Sequence, residues 1–154
     1  MAGHEQLKKS RVVKVNSEET WDLFVTKARD QGCPVKSSSS LYTPNTPLLH
    51  TYIFLFTYTH IYIVVHFTAS WCLPSVAMNP FFEEMALSYR DVLFLVVDVD
   101  EVKEVATRME IKAMPTFVLM REGAQVDKLV GANPAEIKKR IHGFVHSFRS
   151  YFIS

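Results

Sequence analysis

Cysteine is scarce in this chain: Cys33 and Cys72 are the only two among 154 residues. Two such thiols do not make a disulfide framework, so the sequence reads as a protein of a reducing compartment. An excess of charge is missing as well, with 17 Lys and Arg against 16 Asp and Glu and a net charge of +1. That balance gives no reason to expect nucleic acid or an anionic membrane surface as a partner. The opening residues MAGHEQLKKS lack the apolar core of a secretory signal, and Gly3 stands one place too late for the myristoylation pattern. A cytoplasmic address is the expectation. What the chain does have is apolar side chain, 48% of residues, in a length suited to one well-buried domain and too short for two.

The patterning along the chain predicts an α/β domain. RVVKV, residues 11–15, is a short β-rich run. A helix follows, with Asn16 or Ser17 as N-cap, Glu18 and Glu19 in its first turn, and Trp21, Phe24, Val25 and Ala28 on one face. It ends at Gly32 and Pro34. IVVHFTAS fits a strand buried on both faces, and residues 64–68 are expected to form the central strand. A helix from about Pro74 buries Met78, Phe81, Phe82, Met85 and Tyr89, with a kink possible at Pro80. VLFLVVDVD is a second buried strand, VKEVATRM a short helix, and PTFVLM, REG and QVDKLV a hairpin around Gly123. The last helix has Asn133 as N-cap, Pro134 first and Glu136 third, and buries Ile137, Ile141, Phe144, Val145 and Phe148. The resulting order, β-α-insert-β-α-β-α-β-β-α, predicts a sheet covered by helices on both faces.

A second absence interrupts this order. After Lys36 no Asp, Glu, Lys or Arg occurs until Glu83. Residues 36–63 pass from a serine run into a Thr-, Tyr-, Phe- and Ile-rich tract without a clean period. A transmembrane span over residues 48–65 is one reading, since these residues are free of formal charge. It fails on topology, because it divides the domain across the membrane and consumes Val64 and Val65. A disordered or loosely packed loop, at the pole of the domain opposite Cys72, is the second reading. It costs only about 2 kcal/mol in closure entropy, although the exposed YIFLF and IYI segments invite aggregation. The third reading is translated non-coding sequence such as a retained intron, because the flanks join seamlessly when residues 36–63 are removed. The expected organisation is therefore a single domain over residues 1–154, with a core of 11–35 plus 64–150 and an atypical insert between them.

The stretch FTASWCLPS carries the chemistry. A cysteine at the first turn of a helix meets unpaired backbone N–H groups and the positive end of the helix dipole, an arrangement that favours thiolate. Thiolate is the form that attacks a disulfide. Cys72 stands at such a strand-to-helix junction, behind Trp71 and with Pro74 fixing the turn. A buried, inert cysteine fits that position poorly. Where a second cysteine of a Cys-x-x-Cys pair would stand, the chain has Ser75, able to donate a hydrogen bond toward the sulfur or to act as a simple helix-turn serine.

With FTASWCLPS, DVDEVKEVATRMEIKAMPTF and DKLVGANPAEIKKR together, the sequence resembles plant thioredoxins of the h class, in the monocysteinic, CXXS-type thioredoxin-like form. The resemblance covers residues 11–35 and 64–148. It implies the thioredoxin fold, a central mixed sheet flanked by helices, with Pro115 as a cis-proline facing Cys72. It also implies that Trp71, Pro74, Met114, Pro115 and the Val130, Gly131 and Ala132 loop border a substrate groove. Two positions depart from the family. His66 replaces a buried Asp, and Val96 replaces a Lys beneath the site. His66 reads as a base or, more simply, as a neutral core histidine. Cys33, at the far end of the central strand, reads as structural, because about 17–20 Å of strand separates it from Cys72.

The function expected on this basis is monothiol thiol–disulfide exchange, with Cys72 and Ser75 at the catalytic position. Cys72 forms mixed disulfides that another thiol must resolve, as a disulfide isomerase or a glutathione-assisted monothiol reductase does. Disulfide-bonded or glutathionylated client proteins are the expected partners. Glutathione or another external thiol is the co-reactant, and no cofactor or metal is expected. The rival readings are a client-binding module without turnover and a poorly folded splice product.

Overall fold

The computed structural model describes residues 9–32 and 62–149. Cys33 and residues 36–61 lie outside the described residues, as do the first eight residues and the last five. The elements are β1 (Val13–Val15), α1 (Glu18–Gly32), β2 (Tyr62–Thr68), α2 (Leu73–Val76), α3 (Asn79–Ser88), β3 (Leu93–Asp98), α4 (Lys103–Arg108), β4 (Thr116–Arg121), β5 (Ala124–Val130) and α5 (Pro134–Arg149). Five strands form one mixed sheet in the order β1-β3-β2-β4-β5. β3 runs parallel to both β1 and β2, while β4 runs antiparallel to β2 and β5. β2 is therefore the central strand, as its unbroken apolar run predicts.

Side chains alternate across β2 and separate two cores. Ile63, Val65 and Phe67 pack with Trp21 and Ala28 of α1 and Val105 of α4. Tyr62 and Val64 face the other way, against Phe82 and Met85 of α3 and Ile137 and Ile141 of α5. The α1 stripe is as expected, with Phe24 and Val25 filling its edge. Phe144 and Val145 join the α5 face, and the Phe148 side chain lies outside the described residues. Helices on both faces and a mixed sheet give the thioredoxin architecture.

Three local expectations are refined. The central strand begins at Tyr62, two residues inside the range assigned to the insert. Tyr62 pairs with Arg121, and Ile63 with both Met120 and Leu93. Ile63 is fully buried, so burial and ladder pairing on both sides hold it in the sheet. The same strand takes residues 62–65 from the transmembrane reading, and among the described residues no helix is long and apolar enough to cross a membrane. The expected helix from Pro74 is divided into α2 and α3. Pro80 lacks an N–H and its ring crowds the carbonyl one turn back, so the helix restarts instead of running through it.

The caps follow the sequence signals in part. Ser17 Oγ accepts the Thr20 N–H at 3.2 Å, and Asn133 Oδ1 accepts the Glu136 N–H at 3.1 Å. The Glu136 carboxylate turns away from the cap to Arg140 Nε at 2.8 Å, so only half of the capping box forms. Ahead of β1, Arg11 donates to Ala86 O at 2.6 Å and Arg90 O at 2.9 Å. Ser10 Oγ lies 2.7 and 2.8 Å from the two Glu83 carboxylate oxygens. This pair fastens the start of the domain to the C-terminal half of α3.

Glu122 and Gly123 close the β4–β5 hairpin with φ of 52° and 77°, the backbone of a two-residue turn matched to strand twist. Gly123 also touches α1: a Cβ there would sit 2.8 Å from Val25 O and 3.0 Å from Arg29 Cβ. Gly123→Ala is expected to cost about 2 kcal/mol, from the left-handed backbone and the contact together. Urea unfolding would read this as a lower midpoint at constant slope. An unchanged midpoint would mean that the hairpin tip does not bear on α1.

Candidate active site

The site forms where the C-terminal ends of β2 and β3 meet. Val99 N–H donates to Thr68 O at 2.9 Å, holding the two strand ends together. Beyond β2, Cys72 N–H returns to Ala69 O at 3.0 Å, and Cys72 O accepts the N–H groups of Ser75 and Val76, each at 3.0 Å. This tight turn sets Cys72 at the N-cap of α2, with Pro74 in its first turn. After β3, Asp98 Oδ1 accepts the N–H of Asp100 at 2.9 Å, and this local turn presents Asp100 to the site. Trp71 Nε1 donates to Asp100 Oδ2 at 2.7 Å. The indole is thereby held in place while 65% exposed.

The cis Met114–Pro115 bond faces the cysteine as the resemblance implied. Cys72 Sγ donates to Met114 O at 3.4 Å. Thr116 Oγ1 donates to Ala113 O at 2.7 Å, pinning that loop from β4. Gly131 N–H donates to Pro115 O at 2.9 Å, which brings the Val130–Gly131–Ala132 loop beside it. Gly131 has φ of 112° and open space where a Cβ would stand, so backbone conformation and not crowding calls for glycine there. Pro115 is buried, whereas Pro74 and Ala132 are exposed. Trp71, Leu73 and Val130 leave large apolar surface around the half-buried thiol.

Ser75 is fully buried and faces inward. Its hydroxyl donates to Thr68 Oγ1 at 2.6 Å and lies 3.3 Å from His66 Nε2. The expected hydrogen bond toward the sulfur is therefore replaced by one into the sheet. β2 supplies the reason, because His66 and Thr68 lie two apart on one face and offer Ser75 two polar partners.

His66 is fully buried, stacked on Phe117 with ring centroids 4.6 Å apart and edge-on to Phe82 at 5.3 Å. Its Nδ1 has no hydrogen-bond partner. With the Ser75 proton committed to Thr68, Nε2–H donates to Ser75 Oγ and Nδ1 is the bare acceptor. The opposite tautomer would leave a buried N–H unpaired, which costs more. Burial pushes His66 down to about 4, so the ring is neutral at physiological pH. The simpler of the two sequence readings, a neutral core histidine, describes its environment. Val96 is the β3 register partner of His66 and brings no charge to it.

Sequence reasoning missed Thr68 and Asp100. Thr68 had a signal, its spacing of two from His66 along β2; for Asp100 nothing local indicated a partner in Trp71. Among the described residues no group of three or more His, Cys, Asp or Glu is arranged to hold a metal ion.

The thioredoxin family profile matches residues 55–143. The chain is 50% identical over 145 residues to the thioredoxin-like protein CXXS1 of Arabidopsis thaliana, a match covering 94% of this chain and 99% of that protein. It is 42% identical to the thioredoxin-like protein CXXS1 of Oryza sativa subsp. japonica, covering 90% of this chain and 84% of the relative. Among solved structures it is similar to a thioredoxin of Nicotiana alata, with a TM-score of 0.65, 30% identity and coverage of 87% and 92% of the two chains. The turn that positions Cys72, the cis-proline against it, the sheet order and these similarities agree: the chain belongs to the thioredoxin family.

Proposed function

We propose that the chain is a cytoplasmic monothiol exchange protein, acting on disulfide-bonded or glutathionylated client proteins through Cys72. The observation that carries this reading is one half-buried thiol against the Met114 carbonyl, with a fully buried hydroxyl where a resolving thiol would stand. The Cys72 thiolate attacks one sulfur of a client disulfide. A Cys72–client S–S bond forms, the client S–S bond breaks, and the other client sulfur leaves as thiolate. Ser75 cannot resolve the adduct, because a neutral hydroxyl does not displace a thiolate from a disulfide. If a second client thiol expels Cys72, the client disulfide has moved and no net oxidation occurs. If glutathione does so, two glutathione thiols become one glutathione disulfide for each client disulfide reduced.

Trp71, Pro74, Met114, Val130, Gly131 and Ala132 form the surface on which a client backbone would lie, over the buried Pro115, and Ser75, His66 and Val96 lie behind it. Recovery of activity from a scrambled disulfide substrate in glutathione buffer is expected to fall to the uncatalysed rate in Cys72→Ser. Recovery that survives the substitution would remove Cys72 from the reaction. A second reading, client binding without turnover, is favoured by the apolar exposure of Trp71, Leu73 and Val130. It requires that peptide binding persist in Cys72→Ser and that the parent show no exchange.

A further inference from the structure

The geometry points to a second, non-redox site: a two-histidine chelate on α5, formed by His142 and His146, for an imidazole-preferring divalent cation of the nickel or zinc class. The two histidines are four residues apart, the spacing that stacks side chains on one helix face. Both are exposed, and their ring centroids are 4.2 Å apart with an interplanar angle of 50°. Two imidazoles at this helical spacing can share one ion, as in helical zinc sites built on the same separation.

A neighbouring element orients the first ligand. Tyr89, the C-cap of α3, places its hydroxyl 3.1 Å from His142 Nδ1. With Nδ1–H donating to the phenol oxygen, the Nε2 lone pair of His142 is left for the cation. A fixed tautomer and ring orientation of this kind raises a metal-binding histidine's affinity. Tyr89 is itself half-buried against the α3–α5 core, so the support is anchored on a second helix. Water completes the coordination sphere, which makes the ion exchangeable. Lys138 and Lys139, exposed on the preceding turn, oppose any cation on charge alone. Selection therefore rests on imidazole coordination, and oxygen-preferring ions such as magnesium are excluded.

Calorimetric titration of the full chain, with its cysteines alkylated, tests this with Ni²⁺ as probe and Mg²⁺ as comparison. His142→Ala and His146→Ala are each expected to weaken the tightest Ni²⁺ site by tenfold or more, since either leaves a single ligand. Tyr89→Phe is expected to weaken it about tenfold while keeping both ligands. Mg²⁺ is expected to give no heat of binding. Equal Ni²⁺ affinity in the parent and either histidine variant would overturn the chelate. An unaltered affinity in Tyr89→Phe would overturn the orienting role of α3, and Mg²⁺ binding at the same site would overturn the proposed selectivity.

Discussion

Ser75→Cys is expected to gain insulin-type disulfide reduction with dithiothreitol as donor, and to clear mixed disulfides that persist on the parent. In the parent, resolution of a Cys72 adduct needs a thiol from solution. A thiol at position 75 lies in the same helical turn as Cys72, so resolution becomes intramolecular. Well-oriented intramolecular reactions reach effective molarities of about 10⁵ M or more, so a poorly aligned thiol still outruns millimolar glutathione. A shortening of the adduct lifetime by at least about a hundredfold follows. The buried position is permissive, because a thiol is a weak donor and is not held to Thr68 as the serine hydroxyl is. His66 limits the gain: its ring, pushed down to about 4, is a weak base for the new thiol. The variant is therefore expected to remain slower than a dithiol relative with a buried carboxylate. Persistent adducts in Ser75→Cys, with Cys72 still alkylated readily, would show that position 75 does not limit turnover and would move the binding-module reading ahead.

Stability is expected to fall by about 3 kcal/mol between neutral pH and pH 4 because of His66 alone. Burial lowers this histidine from 6.5 to about 4. Between those values the unfolded chain carries a proton that the folded chain excludes, so acid favours unfolding. The contribution is fully present above about pH 6.5 and is lost as pH falls to about 4. Roughly 2 kcal/mol of it has gone by about pH 5. His66→Gln keeps a side-chain N–H for Ser75 and removes the titration. Urea unfolding of parent and variant at neutral pH and near pH 5 separates this effect from the carboxylates, which both proteins share. The same loss of stability in the two would mean that His66 is not held neutral by the core.

Much of this arrangement was legible because it is local or periodic. The unbroken apolar run of β2, the Trp21–Ala28 stripe, the Ser17 and Asn133 caps and the Gly123 turn each follow from residues within a few positions of one another. The cis-proline facing Cys72 was available through the resemblance and not through local pattern. The orientation of Ser75 was not legible. It is decided by two polar groups on β2 that meet α2 only after the sheet has formed. The start of β2 escaped for a similar reason: Tyr62 and Ile63 are placed by partners in β3 and β4, while the composition before them blends into their own. The division between α2 and α3 had a signal in Pro80, whose effect is a new helix start and not a bend.

The Arg11 clamp changes where this domain can be cut. Among the described residues the first element starts at Val13, and a fragment trimmed to that residue would keep every described strand and helix. It would lose the guanidinium that donates to the carbonyls of Ala86 and Arg90, and with it the hydroxyl on Glu83. The end of α3 would then be left to solvent, and that end carries Tyr89. A trimmed fragment would thus pass tests of secondary structure while loosening a helix far along the chain. Expression boundaries are better set ahead of Ser10, where the covalent chain still serves as the fastening of a helix that it reaches again only after the active-site turn.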